Sequence, residues 1–273
     1  MVGGTSILIT VLAVNLAGSA ARAVEPPGLV TLLGAAEDSF PSRVAAIRAL
    51  GKSLSGDEIN ALYGFLNRKA GEDKARQGEL NALKNDVVNA LKMQKTAPAD
   101  LPARLMAMYG DRSHDEVWRD YCIQHLGDVY PGIGAPAVRV ETRRVLWSAS
   151  DERKGSIPGT ALIALSNQLG QEGFEKDRIA AKALEMVREP SYGEPAKITA
   201  LQICAKLGET AVLPDARKLA AVGAVPIRMS AMACLGMLGD KSDLELLKQS
   251  EFSTDIRLRT AAQVAISRLK ARE

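Results

Sequence analysis

The sequence predicts an all-α solenoid of about seven antiparallel helix pairs. Three observations support this prediction. An apolar segment ending in Leu-Gly recurs along the chain, helix start signals lie between its copies, and no alternating run of β-branched residues predicts a strand. The composition agrees, because 47% of the 273 residues are hydrophobic but only 4% are aromatic. The core must therefore consist of aliphatic side chains, which suit close packing between helices.

The Leu-Gly segment supplies the repeat. Its five glycines are Gly51, Gly127, Gly170, Gly208 and Gly239. They are separated by 76, 43, 38 and 31 residues, a weaker copy at 85–91 divides the first interval, and a last copy ends at Leu269 without the glycine. Intervals of this size are typical of two-helix repeats. We expect each glycine to end a helix in the left-handed conformation, which costs glycine little.

The helices can be assigned in order from these signals. They are predicted near residues 41–51, 55–69, 74–94, 100–109, 113–127, 136–149, 157–170, 174–188, 195–208, 210–222, 225–239, 242–249 and 254–270. Ser55, Ser113 and Ser242 each precede a glutamate by three residues, which predicts capping boxes. Residues 24–40 are expected to form a linker and an N-terminal capping helix, and residues 41–273 the solenoid.

Part of the chain resembles a known family. Residues 226–240 read Pro-Ile-Arg-Met-Ser-Ala-Met-Ala-Cys-Leu-Gly-Met-Leu-Gly-Asp, and residues 255–262 repeat the start of this unit. Both resemble the HEAT-repeat family in its short bacterial form. The resemblance is good across 195–270, fair across 39–69 and blurred across 74–158. It implies a right-handed superhelix with a concave partner-binding surface, and it implies no activity because the motif encodes packing.

The N-terminal region predicts export. Residues 7–21 are almost wholly apolar and close on Ala21-Arg22-Ala23, which fits a small-x-small cleavage site. We predict a signal peptide over residues 1–23, cleaved after Ala23, and a periplasmic or secreted product. Because no Lys or Arg precedes the apolar run, an uncleaved anchor and a misplaced start are the alternatives. No later segment predicts a membrane span.

Charge and motifs argue against several functions. The net charge is only +3, from 35 basic and 32 acidic residues, so we expect no nucleic-acid partner. Neither a Gly-x-Ser-x-Gly elbow nor a phosphate-binding glycine loop is present, so the sequence predicts a protein that is not an enzyme and has no cofactor. Cys122 and His125 can share a helix face, but no second cluster completes a metal site, and none is predicted.

The three cysteines fit the repeat register. Cys122, Cys204 and Cys234 fall on inward positions of their helices, where other copies carry small apolar residues. We therefore interpret them as buried packing residues. Cys204 and Cys234 lie in neighbouring units and form the one pair that we consider for a disulfide.

Aromatic residues gather in the middle of the chain. Five of the eleven lie between Tyr109 and Trp147, together with both histidines. Trp, Tyr and Arg are enriched at binding hot spots. The candidate partner-binding residues are therefore Trp118, Tyr121, Tyr130, Arg139, Arg143, Arg144 and Trp147. The alternative is that the aromatic side chains pack an irregular part of the stack while the arginines solvate a helix.

Three functions follow from these observations. The leading prediction is a non-catalytic scaffold or adaptor that binds a protein or peptide with the inner helices, in the periplasm or outside the cell. The first alternative is an enzyme accessory or lyase-like HEAT protein that uses Cys122 and His125. The second alternative is a structural component of an envelope assembly.

Overall fold

The computed structural model describes residues 27–34, 39–69, 71 and 74–272. The predicted signal peptide and its cleavage after Ala23 lie outside these residues. In the described part of the chain every regular element is helical, and two short 3₁₀ turns occur at Tyr130–Gly132 and Thr210–Val212. The α-helices are α1 Pro27–Leu33, α2 Phe40–Arg48, α3 Gly56–Leu66, α4 Lys74–Lys92, α5 Leu101–Gly110, α6 Glu116–Val129, α7 Pro136–Ala149, α8 Ile157–Asn167, α9 Lys176–Arg188, α10 Glu194–Leu207, α11 Leu213–Val222, α12 Val225–Leu238, α13 Asp243–Glu251 and α14 Ile256–Lys270.

The helices form seven consecutive pairs stacked in two layers. Each odd-numbered helix packs on the even-numbered helix that follows it, through a short connection that makes the two antiparallel. The even-numbered helices also contact one another in unbroken order from α2 to α14, and we call this layer the second-helix row. The odd-numbered helices form the first-helix row. The arrangement confirms the predicted α-solenoid of seven helix pairs.

Close approach within the second-helix row depends on glycines inside helices. A Cβ atom at Gly127 of α6 would lie 2.6 Å from the Cβ of Ala164 in α8. A Cβ at Gly236 of α12 would lie 2.7 Å from the Cα of Ala265 in α14. These positions have no space for a methyl group, so glycine lets the two backbones pack against each other.

Helix ends follow the predicted chemistry only in part. Ser55 caps α3 as predicted, since its hydroxyl accepts from the Glu58 amide and its own amide donates to the Glu58 carboxylate at 2.6 Å. The prediction of a capping box at Ser113 was wrong. The carboxylate of Asp115 caps α6 instead, by accepting hydrogen bonds from the amides of Val117 and Trp118. Ser242 precedes α13 but makes no capping hydrogen bond with its side chain.

Only two of the five glycines that were predicted to be left-handed adopt that conformation. Gly170 and Gly208 adopt φ values of 86° and 77°, which confirms the prediction for these two. Gly51 and Gly239 do not have positive φ, and Gly127 lies inside α6. At Gly127 the close approach of α8, and not a helix end, is the reason for glycine.

The cysteines lie in the core, as their register predicts. Cys122 and Cys204 are fully buried and Cys234 is 1% exposed, and all three are free thiols. No helix in the described ranges is long and apolar enough to cross a membrane.

Candidate functional site

Two of the predicted partner-binding residues lie in the core. Trp118 is fully buried on α6, with the Lys84 ammonium 4.8 Å from its ring centroid. Tyr130 is 1% exposed and meets the Phe174 ring edge-on, with centroids 4.9 Å apart. Both aromatic rings are therefore part of the core of the stack.

Three others anchor the loop between α8 and α9. Arg139, Arg143 and Trp147 project from α7 and donate hydrogen bonds to that loop. Their acceptors are the Gln171 side chain, the Glu172 carbonyl at 2.8 Å and the Gly173 carbonyl at 3.2 Å. The guanidinium of Arg178 lies 3.9 Å from the Trp147 ring centroid. These contacts join the fourth helix pair to the fifth.

Tyr121 and Arg144 keep more freedom. Tyr121 is half-buried on α6, and Arg144 is exposed and pairs with Glu141 of its own helix at 2.6 Å. The seven predicted residues thus do not converge on one surface patch, and their role in partner binding stays a prediction.

Cys122 and His125 share a helix but sit in different surroundings. Burial raises the pKa of the Cys122 thiol well above its ordinary value, so the thiol stays protonated. His125 is 1% exposed, and burial lowers its pKa, which favours the neutral imidazole. Within the described residues no group of three potential metal ligands occurs.

The second-helix row carries most of the large apolar side chains that are exposed in the described residues. Six of the nine large apolar side chains that are exposed in the described ranges lie on its helices or immediately after one, and they are Met93, Val117, Ile163, Met237, Ile256 and Val264. They come from α4, α6, α8, α12 and α14, whereas α2 and α10 contribute none, and we call the surface that carries them the open face. Sequence analysis concentrated on aromatic residues and missed this aliphatic face. One concavity on this row lies between α2 and α4 beside Met93, and another lies between α12 and α14.

The concavity between α12 and α14 combines apolar and charged side chains. It encloses about 470 Å³. Its walls are Met229, Ala233, Ile256, Arg257, Thr260, Ala261, Val264 and Arg268. We call it the α12–α14 groove. Small alanine side chains line it on both helices. Arg257 is paired with Asp255 at 2.7 Å, whereas Arg268 places positive charge at the edge.

A second cluster of charged residues joins α4 to α6. The Lys92 ammonium donates to the Asp128 carboxylate at 2.7 Å and lies 3.3 Å from Nδ1 of His125. The neighbouring His125 and Lys92 side chains lower the pKa of Asp128 to about 2, so this carboxyl is ionised throughout the physiological range. Lys92 and Asp128 come from different helix pairs, and no motif in the sequence predicts their contact.

A third polar cluster lies deeper between the same helices. Asp115 accepts from the Gln77 side chain at 2.7 Å and from Asn81 at 2.8 Å. Lys84 lies one turn further along α4, is fully buried, and its Nζ has no hydrogen-bond partner in the described part of the chain. Burial lowers the pKa of Lys84 to about 8. The spacing of residues 77, 81, 84, 88 and 91 is a sequence signal that could have placed Lys84 on the inward face.

Comparison with known proteins identifies no family. No family model matches the chain, and no curated protein matches it. Among solved structures, the chain is similar to human deoxyhypusine hydroxylase in complex with glycerol, with 15% identity, a TM-score of 0.36, and coverage of 89% of this chain and 95% of that one. It is also similar to an engineered protein, with 17% identity, a TM-score of 0.32, and the same coverage of both chains.

The first of these neighbours corrects one prediction. The sequence predicted that the chain is not an enzyme, but deoxyhypusine hydroxylase is an enzyme. Missing catalytic motifs in a stack of helices therefore do not exclude catalysis, and that prediction was wrong. With 15% identity and a TM-score of 0.36, the likeness transfers neither activity nor substrate to this chain.

Proposed function

We propose that this chain binds a protein or peptide along the open face of the second-helix row. The observation that carries the proposal is the set of exposed apolar side chains on or next to five of the seven helices of that row. Contiguous apolar surface rimmed by polar groups marks interaction sites in soluble proteins. Helical repeat stacks commonly use such extended surfaces to bind partners.

The α12–α14 groove is the proposed point of strongest contact. Ala233 and Ala261 let a partner backbone approach closely, while Met229 adapts its shape to an apolar side chain. Arg268 favours an acidic residue beside the apolar segment of the partner. An amphipathic segment with an acidic flank meets these requirements.

A matched pair of substitutions tests the proposal. Val264 on α14 and Val140 on α7 are 45% and 55% exposed, but they lie on opposite rows of the stack. We expect Val264→Asp to weaken binding of a partner captured by the mature chain by about tenfold or more, because a carboxylate would be desolvated in the groove. Val140→Asp should bind as tightly as the unchanged chain. The captured partner is identified, purified and titrated against each variant.

Thermal unfolding first verifies that both variants are folded. Equal affinity of the Val264→Asp variant and the unchanged chain would place the partner elsewhere. A loss of affinity in Val140→Asp alone would assign binding to the first-helix row and overturn the proposal.

We also propose that the mature chain acts in the periplasm or outside the cell. Support comes from the apolar run at 7–21 and the small residues Ala21 and Ala23. Mass spectrometry of the protein isolated from its source should then find Val24 as the first residue. Recovery of intact residues 1–23 on the bulk of the protein contradicts cleavage.

A further inference from the structure

Both histidines of the chain lie where α4 packs on α6, and we call this contact the α4–α6 joint. His114 lies just before α6 and His125 lies near its end, and both side chains are buried. In the described part of the chain, both ring nitrogens of His114 and Nε2 of His125 have no hydrogen-bond partner. The joint therefore buries two groups that titrate near neutral pH and leaves them incompletely paired.

A lysine of α4 determines which nitrogen of His125 carries the proton. The Lys92 ammonium lies 3.3 Å from Nδ1, and because an ammonium group can only donate, Nδ1 must be the acceptor. The Asp128 carboxylate accepts from Lys92 at 2.7 Å and lies 3.8 Å from the same Nδ1. Lys92 and Asp128 are the charged groups that act on His125, and α8 on the other side of α6 carries no ionisable side chain. The neutral ring is thus protonated on Nε2, and a second proton can be added only at Nδ1.

A proton on Nδ1 would exchange one ion pair for another. The imidazolium of His125 and the ammonium of Lys92 would then point two positively charged donors at each other, and they repel. The Asp128 carboxylate can accept from His125 instead, which belongs to the same helix. The ion pair that joins α4 to α6 would in this way become a pair within α6.

The other end of the joint also places a histidine beside a lysine of α4. The charges that act on His114 are those of Lys84, Asp111, Lys69 and Asp115. Lys84 is fully buried, and its Nζ has no hydrogen-bond partner among the residues that the structure describes. Burial and Lys84 lower the pKa of His114 below its ordinary value despite the two aspartates. A proton on His114 therefore adds a second cation beside a buried one, which water would solvate better than the core does.

We propose that the α4–α6 joint is an acid-sensitive hinge. It loosens when His125 and His114 each take up a proton, while the other joints of the stack stay closed. The second and third helix pairs then separate along α4 and α6. The proposal concerns this joint alone and does not depend on the partner that the chain binds.

The direction of the pH dependence follows from the two states of the joint. In the closed joint, burial lowers the pKa of both histidines below 6.5, whereas water restores the ordinary value in the loosened joint. Below pH 6.5 the loosened state therefore binds more protons, and its population rises by up to about tenfold per pH unit for each histidine. Asp128, with a pKa of about 2, and Lys84, with a pKa of about 8, keep their charges between pH 7 and pH 5. Hydrogen bonds from Ser113 likewise lower the pKa of Asp111 to about 2.

The reactivity of the cysteines separates local loosening from global unfolding. Cys122 is buried on α6 and faces Lys84 across the joint, whereas Cys204 and Cys234 are buried on α10 and α12. The mature chain is labelled with a dipyridyl disulfide at pH 7 and at pH 5, and each rate is divided by that of the urea-unfolded chain at the same pH. We expect the relative rate of Cys122 to rise by about tenfold or more in acid. The relative rates of Cys204 and Cys234 should change by less than about threefold.

Substitutions at the histidines assign the acid response. Asparagine can accept from a donor beside Nδ1 but takes up no proton in this pH range. In the double variant His114→Asn/His125→Asn, Cys122 should react at pH 5 with the relative rate that the unchanged chain shows at pH 7. Each single variant should keep the part of the response that the remaining histidine supplies. Circular dichroism at pH 7 verifies that the variants are folded.

A further substitution leaves both histidines in place. Lys92→Met removes the ammonium that opposes protonation of His125, so the pKa of His125 should rise. The acid response of Cys122 should then fall by about threefold or more. Lys95→Met is the matched control, because Lys95 is exposed, lies three residues later and is not among the charges that act on His125. It should respond to acid as the unchanged chain does.

Three results would overturn the proposal. The first is a relative rate of Cys122 that does not change between pH 7 and pH 5. The second is joint labelling of all three cysteines in acid, which would mean that the stack unfolds as a whole. The third is a full acid response in the double variant. If the histidine variants do not fold, equal responses of Lys92→Met and Lys95→Met overturn the proposal instead.

Discussion

Replacing Gly236 by alanine is expected to lower the free energy of unfolding by about 2 kcal/mol. The added Cβ would lie 2.7 Å from the Cα of Ala265 and 3.0 Å from its Cβ, both too short for carbon atoms in contact. One of these contacts is with backbone, so α12 and α14 must move apart and lose packing along their interface. This loss exceeds the gain of about 1 kcal/mol that alanine brings to a helix interior.

Gly78→Ala is the matched control, and we expect it to stabilise the protein. Gly78 lies inside α4, and a Cβ there meets nothing within 4 Å. Gly78→Ala should therefore raise the free energy of unfolding by about 0.5–1 kcal/mol through helix propensity alone. Urea unfolding measures both variants, and hydrogen exchange in α12 and α14 shows whether the Gly236 effect is local. A stabilising Gly236→Ala would show that these helices are not in close contact.

The second large effect is expected at Lys84. Replacing it by methionine should raise the free energy of unfolding at pH 7 by about 1–2 kcal/mol, because a buried cation is exchanged for an apolar chain of similar length. The ammonium lies 4.8 Å from the Trp118 ring centroid, and this attraction offsets only part of the desolvation cost. Urea unfolding of the two proteins measures the difference.

The stability difference between these proteins should also depend on pH. The pKa of Lys84 is about 8 when folded and 10.5 without the protein around it, so the folded state loses this proton first. Between these pH values the unfolded chain binds more protons, and the contribution of Lys84 to stability rises with pH by up to about 1.4 kcal/mol per unit. The advantage of Lys84→Met should therefore be largest below pH 8 and shrink towards pH 10.5.

The difference between the unfolding free energies of the unchanged protein and Lys84→Met reports mainly on Lys84, because other titrating groups contribute to both values. The groups facing it are Asp115, Cys122, Lys69 and His114, and they are present in both proteins. Lys84→Ala is the control for volume, and it should destabilise the fold because it leaves unfilled space beside Trp118. If Lys84→Met is less stable than the unchanged protein at pH 7, the contacts of the ammonium stabilise the fold by more than its desolvation costs, and the prediction is contradicted.

Local features of the chain could be read from sequence because they depend on neighbours a few residues away. The apolar period located all the helices from α2 to α14, and the cap at Ser55 and the left-handed Gly208 follow from the same local rules. The inward register of Cys122 is another case, since residues three and four apart share a helix face. These features needed no knowledge of how the helices stack.

Contacts between helices were decided only by the tertiary structure. Gly127 has the sequence of a helix end, yet it lies inside α6, where a Cβ would lie 2.6 Å from the Cβ of Ala164 in α8. The meeting of Lys92 with Asp128 spans 36 residues and depends on how α4 lies against α6. Trp118, which composition suggested for a binding surface, is buried by the same packing.

The sequence by itself therefore determined the helical repeat, its number of pairs and most helix boundaries. The tertiary structure decided which side chains are covered, which charges meet, and which face of the stack remains open. The physical reason is range: helix periodicity and capping act within one or two turns, whereas burial and ion pairing depend on distances between segments that are far apart in the chain.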